Sequence, residues 1–204
     1  SLAYTKATGT LSRNTAYNPL TIEGKKTVSF EILSDLAARG APAPDHVFVP
    51  VGDGVILAGV YKGFEDLVRL GRLSKVPVIW ACQAKGSSAI ARALEAGGFG
   101  DPEPSATIAD SISVDVPRNG TGALAKLKKY GGRAVVVTDE EILSAQRTLA
   151  SGTGLFAEPS SSAAAAGFFK VKGELDPSST VVLLVTGSGL KDVKSAAHGL
   201  GICE

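Results

Sequence analysis

A β-branched run, a glycine-rich turn and an apolar-periodic segment follow one another in residues 47–59, VFVPVGDGVILAG. The run at 47–51 predicts a β-strand, because Val and Phe favour a pleated, half-buried surface. After the turn, apolar residues recur at the spacing of one helix face, at Leu57, Val60, Phe64, Leu67 and Val68. The stretch therefore predicts a strand–turn–helix unit, the building block of α/β proteins.

The same alternation continues along the chain. Further strands are predicted at residues 76–82, 134–137 and 181–185, and helices at 24–38, 87–96 and 159–169. The segment 181–185 is almost wholly apolar, which is typical of a strand buried on both faces. Another helix begins after Thr138, which forms a capping box with Glu141. The predicted fold class is α/β, a three-layer α/β/α sandwich with a mainly parallel sheet.

Two stretches lack this periodicity. Residues 1–18 are polar without a clear period, and we interpret them as an extended lead-in segment. Residues 97–122 hold much of the Pro and Gly, which predicts a loop over the surface. Gly97 and Gly98 end the helix before it. Residues 19–204 are predicted to form one α/β domain, since about 100–200 residues is the usual domain size.

Composition excludes several classes of function. The 21 Lys and Arg balance 20 Asp and Glu, which gives no broad basic field for nucleic acid or an anionic membrane. No apolar run approaches the roughly 20 residues that cross a bilayer. Cys82 and Cys203 are too few for a disulfide framework, which favours a reducing cytoplasm. His46 and His198 have no second ligand at metal-binding spacing, so no metal site is predicted.

The turn at residues 52–54 is the first candidate site. Free amide N–H groups at the start of a helix, together with the helix dipole, suit a phosphate group. Two nucleotide-binding loops are excluded by spacing, because Leu57 stands where a dinucleotide fingerprint needs Gly and Val60 where a P-loop needs Lys. A plain tight turn stays open as the other interpretation. Asp53 argues against a phosphate unless its carboxylate points away, for instance to cap the helix.

The second candidate site is TGSGLKD, residues 186–192. A hydroxyl at Thr186 followed by two glycines lets a ligand approach the backbone closely, although the same sequence suits an ordinary strand-to-helix turn. Lys191 is interpreted as structural rather than catalytic. A solvated helix face is the interpretation of the basic cluster of Lys126, Lys128 and Lys129.

Five stretches of this sequence resemble, in order along nearly the whole chain, the C-terminal half of the threonine synthases. They are NPLTIEGKKT at 18–27, VPVGDG at 49–54 with KGF at 62–64, TDEEI at 138–142, EPSSSA at 158–163 and TGSGLKD at 186–192. Threonine synthases are pyridoxal-phosphate enzymes that share the tryptophan synthase β fold, also called fold type II. One such stretch is weak evidence, but five in family order are strong.

The resemblance implies a pyridoxal 5'-phosphate cofactor and assigns roles to both candidate sites. Backbone N–H groups of the turn would hold the cofactor phosphate, and Thr186 would face the nitrogen of the pyridine ring. The residues of that turn are Gly52, Asp53, Gly54, Val55 and Ile56. A hydroxyl at Thr186, unlike a carboxylate, does not stabilise a fully protonated ring.

The same resemblance places the Schiff-base lysine of the family in an N-terminal half, in a Ser-Phe-Lys-type motif that these 204 residues do not contain. Lys25 and Lys26 do not match it, so no catalytic residue is assigned in this chain. The chain, which contains no Met, is expected to be the C-terminal part of a longer enzyme and inactive alone. The parent reaction would convert O-phosphohomoserine and water to threonine and phosphate.

Departures from the family pattern keep other activities open. The departing positions are Thr21, where an Arg usually binds the substrate phosphate, Thr15 and Ala16, usually Asn and Ser, and Val55 and Ile56, often Gly or Asn. Threonine or serine dehydratases and cysteate synthase-like enzymes are alternatives, all acting on a small amino acid. A non-catalytic module that binds phosphate or a partner chain is the alternative from another class. Because loss of a partner domain would expose an apolar cleft, a dimer is expected.

Overall fold

The computed structural model describes residues 2–12 and 17–202. Its helices are α1 (Leu2–Thr8), α2 (Leu20–Lys25), α3 (Thr27–Ala38), α4 (Val55–Arg69), α5 (Ala89–Ala96), α6 (Gly120–Tyr130), α7 (Asp139–Thr153), α8 (Pro159–Val171) and α9 (Val193–Gly199). Its strands are β1 (His46–Pro50), β2 (Val78–Ala84), β3 (Arg133–Val137) and β4 (Val181–Leu183). Three positions from the sequence analysis lie outside the described residues, Thr15, Ala16 and Cys203. No helix in the described ranges is both long and apolar enough to cross a membrane.

The four strands form one parallel sheet in the order β3-β2-β1-β4. β1 lies between β2 and β4, with its first residue, His46, opposite Val78 on one side and Val181 on the other. The chain runs from β1 through β2 to β3 in one direction and then returns across the sheet to β4. The direction of progress therefore reverses between β1 and β4, which is where open α/β sheets leave a crevice for a ligand.

Alternate strand residues face two different helical layers. Val47 and Val49 pack with α4, α5 and α6 on one face of the sheet. Phe48 and Cys82 pack with α7 and α8 on the other, and the Phe48 ring stacks on Trp80 at 5.1 Å between centroids. Each of these residues is at most 3% exposed. The prediction of a three-layer α/β/α sandwich with a parallel sheet is confirmed.

Local capping signals are also confirmed. The Thr138 hydroxyl accepts a hydrogen bond from the Glu141 amide at 3.2 Å, and the Glu141 carboxylate accepts one from the Thr138 amide at 2.7 Å. Gly97 ends α5 with φ of +84°, a left-handed conformation that favours Gly. Both features depend on residues within one helical turn, which is why spacing alone predicted them.

The prediction that the strand at 181–185 is buried on both faces is wrong. β4 lies at the edge of the sheet and pairs only with β1. All three of its residues are half-buried, and Val185, just beyond it, is 37% exposed. Apolar composition reports on the side chains of a strand, whereas its place in the sheet depends on pairing with distant residues.

The N-terminal segment is not wholly extended. Within residues 1–18, α1 is a helix, and it contains Ala3, Lys6 and Ala7. These residues favour a helix through backbone and rotamer preferences and not through an apolar period, so the search for periodicity overlooked them.

The single helix predicted at 24–38 is two helices, α2 and α3, which meet at Lys26. Both pack on α4, and two glycines of α4 allow the close approach. A Cβ added to Gly59 would lie 2.6 Å from the Cβ of Lys25, and one added to Gly63 would lie 2.7 Å from the Cβ of Ser29. These contacts are tertiary, which explains why a helical period alone did not locate the break.

The loop between α5 and α6 is only partly on the surface. Ala109 is fully buried and Ile112 is 5% exposed, and both belong to the core beside α8. A short turn of 3-10 helix at Asp110–Ile112 carries Ile112 inward. The prediction of a surface loop rested on the Pro and Gly content and overlooked these apolar residues.

Lys126 does not belong to a solvated face. Its ammonium lies 2.5 Å from a carboxylate oxygen of Glu65, to which the Tyr130 hydroxyl also donates at 2.6 Å. Burial by itself would raise the pKa of Glu65, but the hydrogen bonds from Lys126 and Tyr130 outweigh it and lower that pKa below its ordinary value. Lys128 and Lys129 are exposed, as predicted.

Candidate functional site

The two candidate stretches leave neighbouring strands at the same edge of the sheet. The turn at 52–54 follows β1, and Thr186 lies just beyond the end of β4. Because β1 and β4 are parallel and pair Phe48 with Leu183, both stretches lie beyond carboxyl ends of strands. The structure therefore brings together, at the crevice between β1 and β4, two segments that are far apart in the sequence.

The glycine turn presents a row of backbone N–H groups that have no acceptor in the described part of the chain. Gly54, with φ of +81°, is the N-cap of α4. The first amide of this region to bond within the helix is that of Ala58, to the Gly54 carbonyl at 3.0 Å. The amides of residues 52–57 precede it and reach no oxygen of the described residues. Unpaired amides at the positive end of a helix dipole suit an anion.

A cavity of about 260 Å³ covers this turn and includes a cation. Lys25 of α2 lines the cavity together with Ser111 and Ile112. Its neighbour Lys26 pairs with Glu23 at 2.6 Å and Asp66 at 3.1 Å, whereas Lys25 makes no ion pair within the described ranges. The cavity thus combines unpaired amides with a cation, which fits a phosphate group.

Asp53 points away from the amides. One of its carboxylate oxygens accepts a hydrogen bond from the Arg118 amide at 3.0 Å, and its carbonyl accepts one from the Asn119 amide at 3.0 Å. Asp53 therefore ties the turn to the segment before α6 and does not cap α4, whose N-cap has no side-chain hydrogen bond. The objection that its carboxylate would repel a phosphate is met by this orientation.

Ser87 fixes the segment that faces the turn. Its hydroxyl donates to the Ile112 carbonyl at 3.0 Å and accepts from the Val114 amide at 2.9 Å. Ser87 is 5% exposed and lies between β2 and α5. The wall of the cavity opposite the turn is therefore held by a buried hydroxyl that the sequence analysis did not single out.

Thr186 rests on Ser161, a residue of the first turn of α8 that the sequence analysis quoted within a motif but gave no role. The two hydroxyl oxygens lie 2.8 Å apart. The same Ser161 oxygen accepts hydrogen bonds from the amides of Thr186 at 3.1 Å and Gly187 at 2.6 Å. Ser161 is fully buried, whereas Thr186 is exposed. The position of Thr186 is therefore fixed from the protein side while its other side faces solvent.

Lys191 has a structural environment. Its ammonium lies 3.0 Å from a carboxylate oxygen of Glu158 and donates to the Ser111 hydroxyl at 2.5 Å. The Glu158 amide donates to the Gly187 carbonyl at 3.0 Å, and the Glu158 side chain is 8% exposed. This cluster joins the start of α8, the turn after β4 and the Ser111 segment into one unit.

The remaining singled-out residues lie away from the crevice. His46 begins β1, at the opposite edge of the sheet, and its Nδ1 accepts a hydrogen bond from the Trp80 indole at 3.3 Å. Burial is the main cause that lowers the pKa of His46. Cys82 is fully buried, as predicted. The described ranges contain no group of three or more His, Cys, Asp or Glu side chains that could hold a metal ion.

Comparison with known proteins assigns the arrangement to a family. Residues 2–187 match the family described as pyridoxal-phosphate dependent enzyme. The threonine synthase of Methanosarcina acetivorans is 37% identical over 92% of this chain and 46% of its own length. That of Methanocaldococcus jannaschii is 37% identical over 88% of this chain and 44% of its own length.

Solved structures agree with the fold. A bacterial-type threonine deaminase, from the organism abbreviated T.th., superposes with a TM-score of 0.73 at 25% identity, over 92% of this chain and 65% of that one. The present chain spans about half the length of the curated relatives it matches.

Proposed function

This chain belongs to the family of pyridoxal-phosphate dependent enzymes, with fold type II, and from that premise we propose that it carries the cofactor-phosphate and ring-nitrogen sites of a threonine synthase-like lyase. One observation carries the proposal. The unpaired amides of residues 52–57 face a cavity that contains Lys25, and Thr186 leaves the neighbouring strand at the same edge. A phosphate and a ring held at these two points would span the crevice between β1 and β4.

Each part of the site has its own task in this proposal. The backbone N–H groups of Gly52, Asp53, Gly54, Val55 and Ile56 bind the cofactor phosphate, and Lys25 adds a positive charge. The Thr186 hydroxyl contacts the ring nitrogen. Bound pyridoxal phosphate supplies an electron-accepting ring that stabilises negative charge developing on the substrate. The chain itself binds and orients the cofactor.

The proposed reaction of the whole protein is conversion of O-phosphohomoserine and water to threonine and phosphate. The two threonine synthase relatives support it. A threonine or serine dehydratase is the second candidate, favoured by the superposition on a threonine deaminase and by Thr21. The Thr21 hydroxyl donates to the Asn18 carbonyl at 2.7 Å and supplies no cation for a substrate phosphate.

Ligand binding separates these two candidates. The chain loaded with pyridoxal phosphate is titrated with O-phosphohomoserine and, separately, with threonine, and heat is recorded. Saturable binding of the phosphorylated amino acid alone supports the threonine synthase type. Binding of threonine alone supports a dehydratase.

We further propose that the Schiff-base lysine lies outside these 204 residues and that the chain is inactive alone. The relatives extend well beyond the matched region, and none of the five matched stretches is the lysine motif. The test is a titration with pyridoxal phosphate, followed by borohydride reduction and intact mass. We expect saturable binding without a stoichiometric adduct. An adduct that disappears in Lys25→Met, or turnover of O-phosphohomoserine by the chain alone, would overturn this part of the proposal.

The same titration tests the site and the non-catalytic alternative. Binding is expected to be lost in Gly52→Val and retained in Gly98→Ala, a glycine whose added Cβ would meet nothing within 4 Å. If inorganic phosphate binds but pyridoxal phosphate does not, the chain is a phosphate-binding module instead. If neither binds, the assignment of the turn is wrong.

A dimer or higher oligomer is also proposed for this chain. Large apolar side chains follow β4 on the surface, where Val185 is 37%, Val193 54% and Leu190 78% exposed. Exposed apolar patches of more than a few hundred Å² favour association. Light scattering at increasing concentration tests this proposal, and a monodisperse monomer throughout would contradict it.

A further inference from the structure

The hydroxyl oxygen of Ser161 takes part in three hydrogen bonds at once. It accepts from the Thr186 amide at 3.1 Å and from the Gly187 amide at 2.6 Å, and it lies 2.8 Å from the Thr186 hydroxyl oxygen. A serine hydroxyl has two lone pairs and one proton. The two amides occupy both lone pairs, because an amide N–H can only donate. The Ser161 proton is then the only group left for the contact with Thr186.

This count fixes the direction of the bond between the two hydroxyls. Ser161 donates to Thr186, so one lone pair of Thr186 is occupied and the Thr186 proton points elsewhere. We infer that Ser161 is a positioning residue that holds Thr186 as a hydrogen-bond donor toward the cofactor ring nitrogen. The inference rests on the proposed function, in which Thr186 faces that nitrogen. A ring nitrogen that accepts this bond must be unprotonated, and the bond favours that state.

The charged groups around Thr186 support the same protonation state. The Glu158 carboxylate lies against Gly187, since a Cβ added to this glycine would be 2.6 Å from the Glu158 Cδ. That carboxylate is paired with Lys191 at 3.0 Å. No uncompensated carboxylate in the described ranges is therefore placed beside Thr186 to stabilise a pyridinium cation.

Ser161 is also held rigidly, as a positioning residue must be. It is fully buried in the first turn of α8, which begins with Pro159. Its two neighbours have separate partners. The Ser160 hydroxyl accepts from the Ser111 amide at 3.0 Å, and the Ser162 hydroxyl donates to the Glu158 carbonyl at 3.0 Å. Ser162 is as buried as Ser161 but does not contact Thr186, so it provides a matched control.

The test is ¹⁵N NMR of ring-labelled pyridoxal phosphate bound to the chain, recorded as a function of pH. In the wild type we expect the signal of an unprotonated nitrogen that does not titrate while the chain stays folded. Ser161→Ala frees the Thr186 hydroxyl to turn and accept, so its nitrogen is expected to titrate, with a shift toward the pyridinium signal on acidification. Ser162→Ala is expected to match the wild type. Thr186→Asp provides the pyridinium reference, because a carboxylate favours a protonated ring.

The outcomes separate this inference from the proposed function. A pyridinium signal in the wild type at neutral pH, or identical titrations of wild type and Ser161→Ala, would overturn the inference alone. Absence of saturable cofactor binding to the wild type would overturn the proposed function and the inference with it. Thr186→Val removes the donor at an exposed position without disturbing the core. It should reproduce the Ser161→Ala titration, and an unchanged signal in it would also count against the inference, even if Ser161→Ala fails to fold.

Discussion

Gly52 and Ile112 are in contact backbone to backbone. A Cβ added to Gly52 would lie 2.9 Å from the Ile112 Cα and 3.2 Å from its carbonyl oxygen. Real Cβ atoms do not approach backbone atoms so closely without displacement. The glycine turn therefore owes its shape to a buried part of the loop before α6, which Ser87 holds in place. Its role is close packing as well as turn formation.

Substitution of Gly52 is expected to damage the turn through this contact. Gly52→Val should lower the affinity for pyridoxal phosphate at least tenfold, about 1.4 kcal/mol, because the turn must move away from Ile112. It should also lower the free energy of unfolding by about 1–3 kcal/mol. Fluorescence titration and urea unfolding measure the two effects. Gly98→Ala is the control, and equal affinities in all three proteins would show that the turn does not bind the phosphate.

The buried carboxylate of Glu65 should make Lys126 important for stability. Lys126→Met removes its nearest cation and leaves Tyr130 and the more distant Lys129, whose ammonium is 3.7 Å away. We expect a loss of about 2–3 kcal/mol, less than for a fully buried pair because Lys126 is 31% exposed. Urea unfolding at neutral pH measures it. Lys128→Met, which removes the same charge from the same helix, should change stability by less than about 0.5 kcal/mol.

The sign of the pH dependence tests the same pair. In the wild type the pKa of Glu65 is lowered. Its contribution to stability is therefore present above the unfolded pKa and is lost as the pH falls through the folded one. Without Lys126, burial raises the pKa of Glu65 relative to the wild type. The stability difference between wild type and Lys126→Met should therefore shrink on acidification, and a difference that grows would contradict this account.

The capping box of α7 should contribute measurably to stability. Thr138→Ala removes the acceptor for the Glu141 amide and is expected to cost about 1 kcal/mol in free energy of unfolding. Thr148→Ala, on the same helix, removes an exposed hydroxyl that bonds to the Ser144 carbonyl at 2.9 Å. Urea unfolding of both variants compares them, and equal losses would mean that the cap is not the source of the effect.

Cys82 should be chemically inert in the folded chain. It is fully buried, and burial raises the pKa of its thiol, which suppresses the reactive thiolate. In a Cys203→Ser background, an aromatic disulfide reagent should label Cys82 only as fast as the core opens, so its rate should rise steeply with urea. Rapid labelling without denaturant would contradict the burial of Cys82.

Features within one element were predictable from the sequence. The strand and helix periods, the capping box of Thr138 and Glu141 and the glycine that ends α5 involve residues close together in the chain. The first half of the crevice was also recognisable, since the glycine turn lies directly between β1 and α4. The orientation of Asp53 was not, because its partner Arg118 approaches from a distant loop.

The sequence by itself determined the elements, the parallel α/β class and the two turns that form the candidate site. Only the tertiary structure decided which distant residues complete them. It placed β4 at the sheet edge beside β1, Lys126 on Glu65 and Ser161 under Thr186. The physical reason is range. A helical or strand period is set by neighbouring residues, whereas strand order and the partner of a buried polar group depend on packing between segments that no local pattern records.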